Sequence, residues 1–296
     1  MILVRFAPNG LKQTVDLRGL FWGQTAVLLG GAPSLLTQPY GLLEQRGVLV
    51  MAMNNAARTV RPALFVGSDN PNCFDPMILA DPGIMKFGNL AWADARCDVN
   101  GGGRLYKTYP NTVFWMTKKS PPWDEFFADT AEIPWYQNTL FVGLHILYHL
   151  GVRRIILAGS DFEVGRGADY SSGQLLSRKE KDWNAKLYAH LVRELVLMKP
   201  VFEKHGLELL DSSANTKLAG TYRHVSLEEA VAMCRGDFPR LPAEPDTLLH
   251  CSAFFGRQRK VGDIIADRPG QPRDPAAGIP PLPQGDTPQE GLQTIL

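Results

Sequence analysis

Four short runs are apolar at nearly every position and end in small or polar residues: Thr25 to Leu29, Val48 to Met53, Ala63 to Val66 and Arg154 to Ala158. Continuous apolar runs of this length predict strands of a parallel sheet covered on both faces, because a strand with one wet face alternates instead. Between them lie segments with helical spacing. Ser34 to Arg46 is expected to form a helix with Ser34 as its N-cap, and Thr139 to Leu150 another that Gly151 terminates. A longer helical pattern, from about Lys179 to Lys204, stops at Gly206 and leads into a fifth candidate strand, Leu207 to Leu210. The alternation predicts an α/β fold built on one doubly wound, mostly parallel sheet.

The stretch from Asp81 to Trp135 breaks this rhythm. It is rich in Gly, Pro and Trp, including Gly101, Gly102, Gly103, Pro121 and Pro122, and predicts an irregular insertion able to cover a ligand, with Thr112 to Met116 as an edge strand. Beyond about Gly256 the chain turns polar and Pro-rich and lacks the apolar content for a core of its own. The expected organisation is an α/β nucleotide-binding domain over residues 1–255, interrupted at about 81–135, and an extended tail over 256–296.

Composition narrows the function classes. With 296 residues, 45% of them hydrophobic, the chain can bury a large core. The balance of 31 Lys+Arg against 30 Asp+Glu gives no global field that would attract nucleic acid or an anionic membrane, which leaves only a local basic patch for that purpose. Cys73, Cys97, Cys234 and Cys251 are scattered, without a CxxC pair, and are expected to be reduced thiols in a cytoplasm. The N-terminal apolar run is too short for a signal peptide, and no stretch reaches the roughly 18 apolar residues of a membrane span.

The candidate chemistry sits at strand ends. The first strand runs into Gly30, Gly31, Ala32, Pro33 and Ser34: glycines admit a ligand close to the backbone, and a helix start offers N–H groups to phosphate or carboxylate. Neither the dinucleotide fingerprint nor the lysine of a phosphate-binding P-loop is present. The second strand ends in Asn54 and Asn55, the third in Ser68, Asp69 and Asn70. The fourth ends in Gly159, Ser160, Asp161, Phe162 and Glu163, followed by a glycine-rich stretch through Gly165, Arg166 and Gly167, with the character of a lid, then Asp169 and Tyr170. Open α/β sheets bind ligands at the carboxyl ends of their strands, so these groups are expected to share one crevice able to hold a nucleotide. A further polar loop, Asp211 to Lys217, ends the fifth strand, and Lys217 is placed to meet a phosphate. His145 and His149 share a helix face, but no Glu follows His145 and the segment reads as core, so no metal site is expected there.

The order Gly-x-x-Pro-Ser-Leu (Gly30 to Leu35), an Asn after the next strand, Gln137-Asn138-Thr139 opening a helix, Leu150 to Phe162 and Tyr170 resembles the bacterial sialyltransferases of glycosyltransferase family 42. It is also similar to archaeal 6-hydroxymethyl-dihydropterin diphosphokinase. The resemblance spans roughly Thr25 to Leu218 and implies a Rossmann-like, GT-A-like sheet. Carried over by position, it implies that Gly30 to Ser34, Asn54 or Asn55, Asn138, Thr139 and Gly159 to Phe162 hold a nucleotide. It also implies a histidine general base, nearest in spacing to His190; otherwise Asp161, Glu163 or Asp169 is left for that role. The family has Asn where this chain has Gly31, and Ser-Gly where it has Asn138-Thr139, which puts cytidine itself in question.

Three functions follow as expectations. The leading one is a glycosyltransferase that moves a sugar from a nucleotide-sugar donor to an acceptor hydroxyl on a glycan, a lipid-linked sugar or a modified nucleic-acid base, with Trp92, Trp115, Trp123 and Trp135 available for stacking. The second is a phosphotransferase of the pterin diphosphokinase type, which requires Mg²⁺ shared by carboxylates such as Asp69 and Asp161. The third is a non-catalytic nucleotide-fold binding module.

Overall fold

The structure is a computed structural model that describes residues 1, 3–7, 9–97, 103–119, 122–136, 138–164 and 169–234. Twelve strands are present among them: β1 (Leu3–Phe6), β2 (Lys12–Val15), β3 (Thr25–Leu29), β4 (Leu49–Met53), β5 (Leu64–Gly67), β6 (Met85–Asn89), β7 (Arg96–Cys97), β8 (Arg104–Leu105), β9 (Thr112–Lys119), β10 (Glu132–Trp135), β11 (Arg154–Ala158) and β12 (Glu208–Asp211). Four α-helices accompany them: α1 (Pro76–Ala80), α2 (Thr139–His149), α3 (Arg178–Lys204) and α4 (Leu227–Cys234).

Ten strands form one sheet in the order β12-β11-β3-β4-β5-β6-β9-β1-β2, with β10 paired to β9, while β7 and β8 make a separate hairpin. From β12 to β9 every pairing is parallel; only β1 runs the other way, pairing antiparallel with both β9 and β2. Side chains on the central strands are buried on both faces. Ala26, Leu28, Met51, Val66, Ile155 and Leu157 pack under α2 and α3, whereas Val27, Leu29, Val50, Ala52 and Ile156 face α4 and the turns after β3 and β4. The expected α/β class with a doubly wound, mostly parallel sheet is the class observed, and the period of two within each apolar run divides it between two cores.

Several elements differ from the sequence expectation. Ser34 to Arg46 is not one α-helix but two 3-10 turns, Pro33–Thr37 and Tyr40–Glu44; Pro39 between them supplies no N–H for a continuing ladder. Nor is Ser34 the N-cap: that position is Ala32, and the Ser34 hydroxyl is used elsewhere. Thr112 to Met116 is no edge strand but part of β9, between β6 and β1, with Trp115 fully buried. The segment from Asp81 to Trp135 supplies β6, β9 and β10 to the main sheet, so much of it is framework rather than an irregular cover. Helices α2 and α3 lie where expected, and Gly151 and Gly206 follow them with φ of +98° and +66°. The expected tail over 256–296, the 255 boundary, Gln137, Gly101, Gly102, Pro121 and the lid through Gly165, Arg166 and Gly167 lie outside the described residues.

Strand order defines where a site can form. After β3 the chain moves outward through β4, β5, β6 and β9, then returns through α2 to β11 and β12 on the other side of β3. The loops leaving β3 and β11 therefore diverge, and a crevice opens between them at the carboxyl ends of the strands.

Candidate functional site

Gly30 and Gly159 make the crevice possible. Gly30 N–H donates to Ala158 O at 2.8 Å and Ala32 N–H to Gly159 O at 2.8 Å, which locks the two loops together. A Cβ on Gly30 would stand 2.4 Å from Gly159 O, and one on Gly159, whose φ is +60°, would stand 2.6 Å from Gly30 O. No side chain fits at either position. Above this junction Ser34 Oγ donates to Asp161 Oδ1 at 2.5 Å, both side chains buried. The Gly30 turn and the Asp161 turn thus share one rim of the sheet.

Around them opens a cleft of about 450 Å³. Its floor is Gly30, Gly31 and Ala32 after β3, Asn54 and Asn55 after β4, and Gly159 to Glu163 after β11. One side is formed by Asp69, Cys73 and Phe74 after β5, together with Trp135, Asn138 and Thr139 at the entry to α2. Asp169, Tyr170, Ser172 and Gln174 form the other side with the first half of α3, from Trp183 to Leu191. Asn138 caps α2 by accepting from Leu140 N–H at 2.8 Å, so the positive end of an eleven-residue helix meets the cleft. Ser171 N–H donates to Gly31 O at 2.8 Å and pins the Tyr170 loop over the floor.

Two lining residues other than glycine hold left-handed backbone: Asn54 at φ +50° and Phe162 at φ +55°. Asn54 Oδ1 is buried without a hydrogen-bond partner, and Ser172 Oγ is likewise unpartnered. Strained backbone and orphaned buried polar atoms cluster where a ligand completes the structure. Asn55, by contrast, is spent on the protein: its Nδ2 donates to Cys73 O and its Oδ1 accepts from Asp75 N–H.

Burial raises the pKa of Asp161; the Ser34 hydrogen bond opposes the shift, while Asp211 and Glu163 add to it. Asp211, at the end of β12, is raised by burial in the same way and bonds His224 Nδ1 at 3.3 Å. Tyr170 accepts from Asn184 Nδ2 at 3.2 Å, and burial together with the neighbouring Tyr170 pushes the Tyr188 phenol upward. Glu163 is exposed and pairs with Lys217, which is not among the residues lining the cleft. Asp169 is tied to Lys181 and to Leu176 N–H, so it anchors its loop to α3.

Other expected residues are placed differently. Ser68 is buried behind the cleft and accepts from Thr139 Oγ1 at 3.1 Å. Asn70 caps the 3-10 turn Pro71–Cys73 through Asn72 N–H, and neither it nor Pro33 lines the cleft. His190 lies on α3, half exposed, 3.4 Å from Glu194 Oε1, and is not among the lining residues. His145, on the inner face of α2, is fully buried, with Nδ1 at 2.9 Å from Phe126 O, and among the described residues no group of three or more His, Cys, Asp or Glu is gathered to hold a metal. Trp92 donates to Ser68 O and Trp115 belongs to the core; Trp123 stacks on Tyr136 at 4.0 Å, leaving Trp135 as the one of these four that lines the cleft.

The α3 wall of Trp183, Asn184, Leu187, Tyr188 and Leu191 was not expected from the sequence. The signal for it is the spacing of 183, 187 and 191 beside 184 and 188, an apolar and aromatic flank at the start of a capped helix.

No family model matches the chain, and no curated protein matches it. Among solved structures, the sialyltransferase CstII from Campylobacter jejuni, in complex with a substrate analogue, cytidine-5′-monophosphate, is similar over 73% of this chain and 88% of that chain, with 12% identity and a TM-score of 0.39. A likeness this remote assigns neither ligand nor activity. No helix among the described residues is long and apolar enough to cross a membrane.

Proposed function

We propose that the chain is a glycosyltransferase that holds a nucleotide-sugar donor in the cleft between the β3 and β11 loops. The observation carrying this reading is the convergence of the Gly30 turn, Asn54, the capped start of α2 and the Asp161 turn on one cleft with aromatic walls. Backbone N–H groups and a helix start suit a phosphate; amides and carboxylates suit ribose and sugar hydroxyls, and Trp135, Tyr170 and Trp183 suit ring faces. Asp161 is the candidate base. It takes the proton of the acceptor hydroxyl as that oxygen bonds the anomeric carbon and the nucleotide leaves with the electron pair of the broken glycosyl bond. His190, outside the cleft lining, is not given this part.

The phosphotransferase reading fares less well on charge. No Lys or Arg stands among the described residues that line the cleft, and Asp69 is exposed at its edge. A triphosphate and its Mg²⁺ call for more counter-charge than this donor set offers.

Thermal shift with CMP, UDP, GDP and ATP, each with and without Mg²⁺, tests the reading. A concentration-dependent rise in Tm with a nucleoside mono- or diphosphate in the absence of metal is expected. A response to Mg-ATP alone moves the assignment to phosphoryl transfer, and no response across the set removes the nucleotide site. Release of free nucleotide from the matching nucleotide sugar then reports cleavage of the glycosyl bond, and the sugar recovered on an acceptor and not as free sugar distinguishes transfer from hydrolysis.

A further inference from the structure

Along the outer flank of α3, Lys179, Trp183, Lys186, His190, Arg193 and Leu197 follow one another at alternating steps of four and three residues. That spacing places them on a single line, which Pro200 and Lys204 continue for a total of about 37 Å at 1.5 Å per residue. No carboxylate stands on this line. Two carboxylates adjoin it: Glu194, bonded inward to Trp123 Nε1 at 2.9 Å, also reaches His190 Nδ1 at 3.4 Å and the Arg193 guanidinium at 3.3 Å, and the exposed Asp182 lies one turn from Lys179 and Lys186, so the cations of the line outnumber the carboxylates beside it. The stripe is solvent-facing: Trp183 is 57% exposed, Leu197 56% and the Arg193 side chain 72%. Leu175, immediately before the helix, and Val196 beside the line add exposed aliphatic surface. In a chain of net charge +1 this is a local concentration of cations interleaved with large apolar groups.

We propose that this flank of α3 seats the protein flat on an anionic lipid bilayer. Lys and Arg meet the lipid phosphates while Trp183, Leu197 and Leu175 enter the interfacial layer, the division of labour by which amphipathic helices hold membrane surfaces. A second copy of the chain is a poor occupant, since self-pairing sets cations against cations. Nucleic acid would satisfy the cations but offers nothing to exposed leucines. Trp183 also lines the cleft, so the docked protein presents the cleft mouth to the bilayer. If the cleft transfers a sugar, which rests on the reading above, the acceptor hydroxyl belongs to a molecule held at that surface.

Co-sedimentation of the full chain with vesicles tests the docking without reference to catalysis. Binding is expected to vesicles of phosphatidylcholine with phosphatidylglycerol, to be weak with phosphatidylcholine alone, and to fall as salt rises. The double variant Lys186→Glu/Leu197→Ser, neither of whose positions lines the cleft, is expected to lose at least about tenfold in partitioning with its circular dichroism unchanged. Should that pair disturb folding, Lys179→Glu/Lys204→Glu at the two exposed ends of the stripe provides the same test. The proposal is overturned by absent vesicle binding, by equal binding to the uncharged vesicles or by binding that the variants leave intact. It is overturned equally if the variants abolish binding to a DNA or RNA oligonucleotide and not to vesicles. The nucleotide thermal shift, measured on the same samples without vesicles, reports separately on the cleft.

Discussion

Ser34 and Asp161, 127 positions apart in the chain, meet in a buried 2.5 Å hydrogen bond that closes the junction between the β3 and β11 loops. The pair has opposite expected effects on stability and binding. Removing the hydroxyl in Ser34→Ala leaves a buried carboxylate without its donor and should cost about 1–3 kcal/mol. Asp161→Asn removes a charge that burial disfavours and keeps an acceptor for Ser34. Because the folded pKa of Asp161 is raised, the native state holds its proton more tightly than the unfolded chain, and the stability this gives at acid pH is lost as pH rises through the folded pKa. At neutral pH, therefore, Asp161→Asn should leave Tm unchanged or higher while abolishing the nucleotide-induced shift. A large drop in Tm, or an intact shift, contradicts this account.

Gly30 and Gly31 differ in what surrounds them, and their substitutions should differ in the same way. A Cβ on Gly30 falls on the Gly159 backbone, so Gly30→Ala must push two loops apart and should cost about 1–3 kcal/mol together with ligand binding. A Cβ on Gly31 finds Tyr170 Cδ1 at 3.4 Å, an ordinary contact distance, and Gly31→Ala should fold within about 0.5 kcal/mol of the parent. Urea melts of the two variants side by side check the contrast.

The contrast bears on what could be read from the chain beforehand. Strands β3, β4, β5 and β11 were legible because each is buried on both faces and so appears as an unbroken apolar run; their polar ends then pointed to the cleft. Strand β6 was hidden by Lys86. This lysine sits in its middle with no exposed surface, and its Nζ donates to the carbonyls of Asp81, Ile84 and Pro110, so a residue that argues against burial is accommodated by three acceptors drawn from loops. Edge strand β2 was hidden for the opposite reason, since Lys12, Gln13 and Thr14 are all exposed. The α3 wall was legible as a helix, but which flank faces Tyr170 and Phe162 depends on packing between elements that no local pattern encodes.

Asn54 separates conformation from contact. At φ +50° an alanine pays the left-handed penalty of about 1–2 kcal/mol that asparagine and glycine largely escape. Asn54→Ala should therefore be measurably less stable than Asn54→Gly, while both lose the unpartnered Oδ1 and with it part of the ligand response. If Asn54→Gly binds nucleotide as the parent does, the amide is a turn residue and not a ligand contact.

Acid sensitivity should arise under α2, away from the cleft. Burial, aided by the positive N-terminus, lowers the pKa of His149 to about 4, and burial beside His149 drives His145 lower than its ordinary value as well. An unfolded imidazole takes up its proton near pH 6.5, whereas the native one resists until about pH 4. Between these values the unfolded chain binds more protons, so stability is complete above about pH 6.5 and falls as the solution is acidified through the window, by an amount on the order of 3 kcal/mol for His149. Replacing it with an uncharged residue of similar reach, His149→Gln, should flatten the dependence of the urea midpoint on pH between 6.5 and 4 without altering the nucleotide shift at neutral pH. A variant whose midpoint falls as steeply as the parent's would place the acid-labile group elsewhere, with His145 the next imidazole to replace, whereas one with a shallower profile assigns that part of the acid loss to His149.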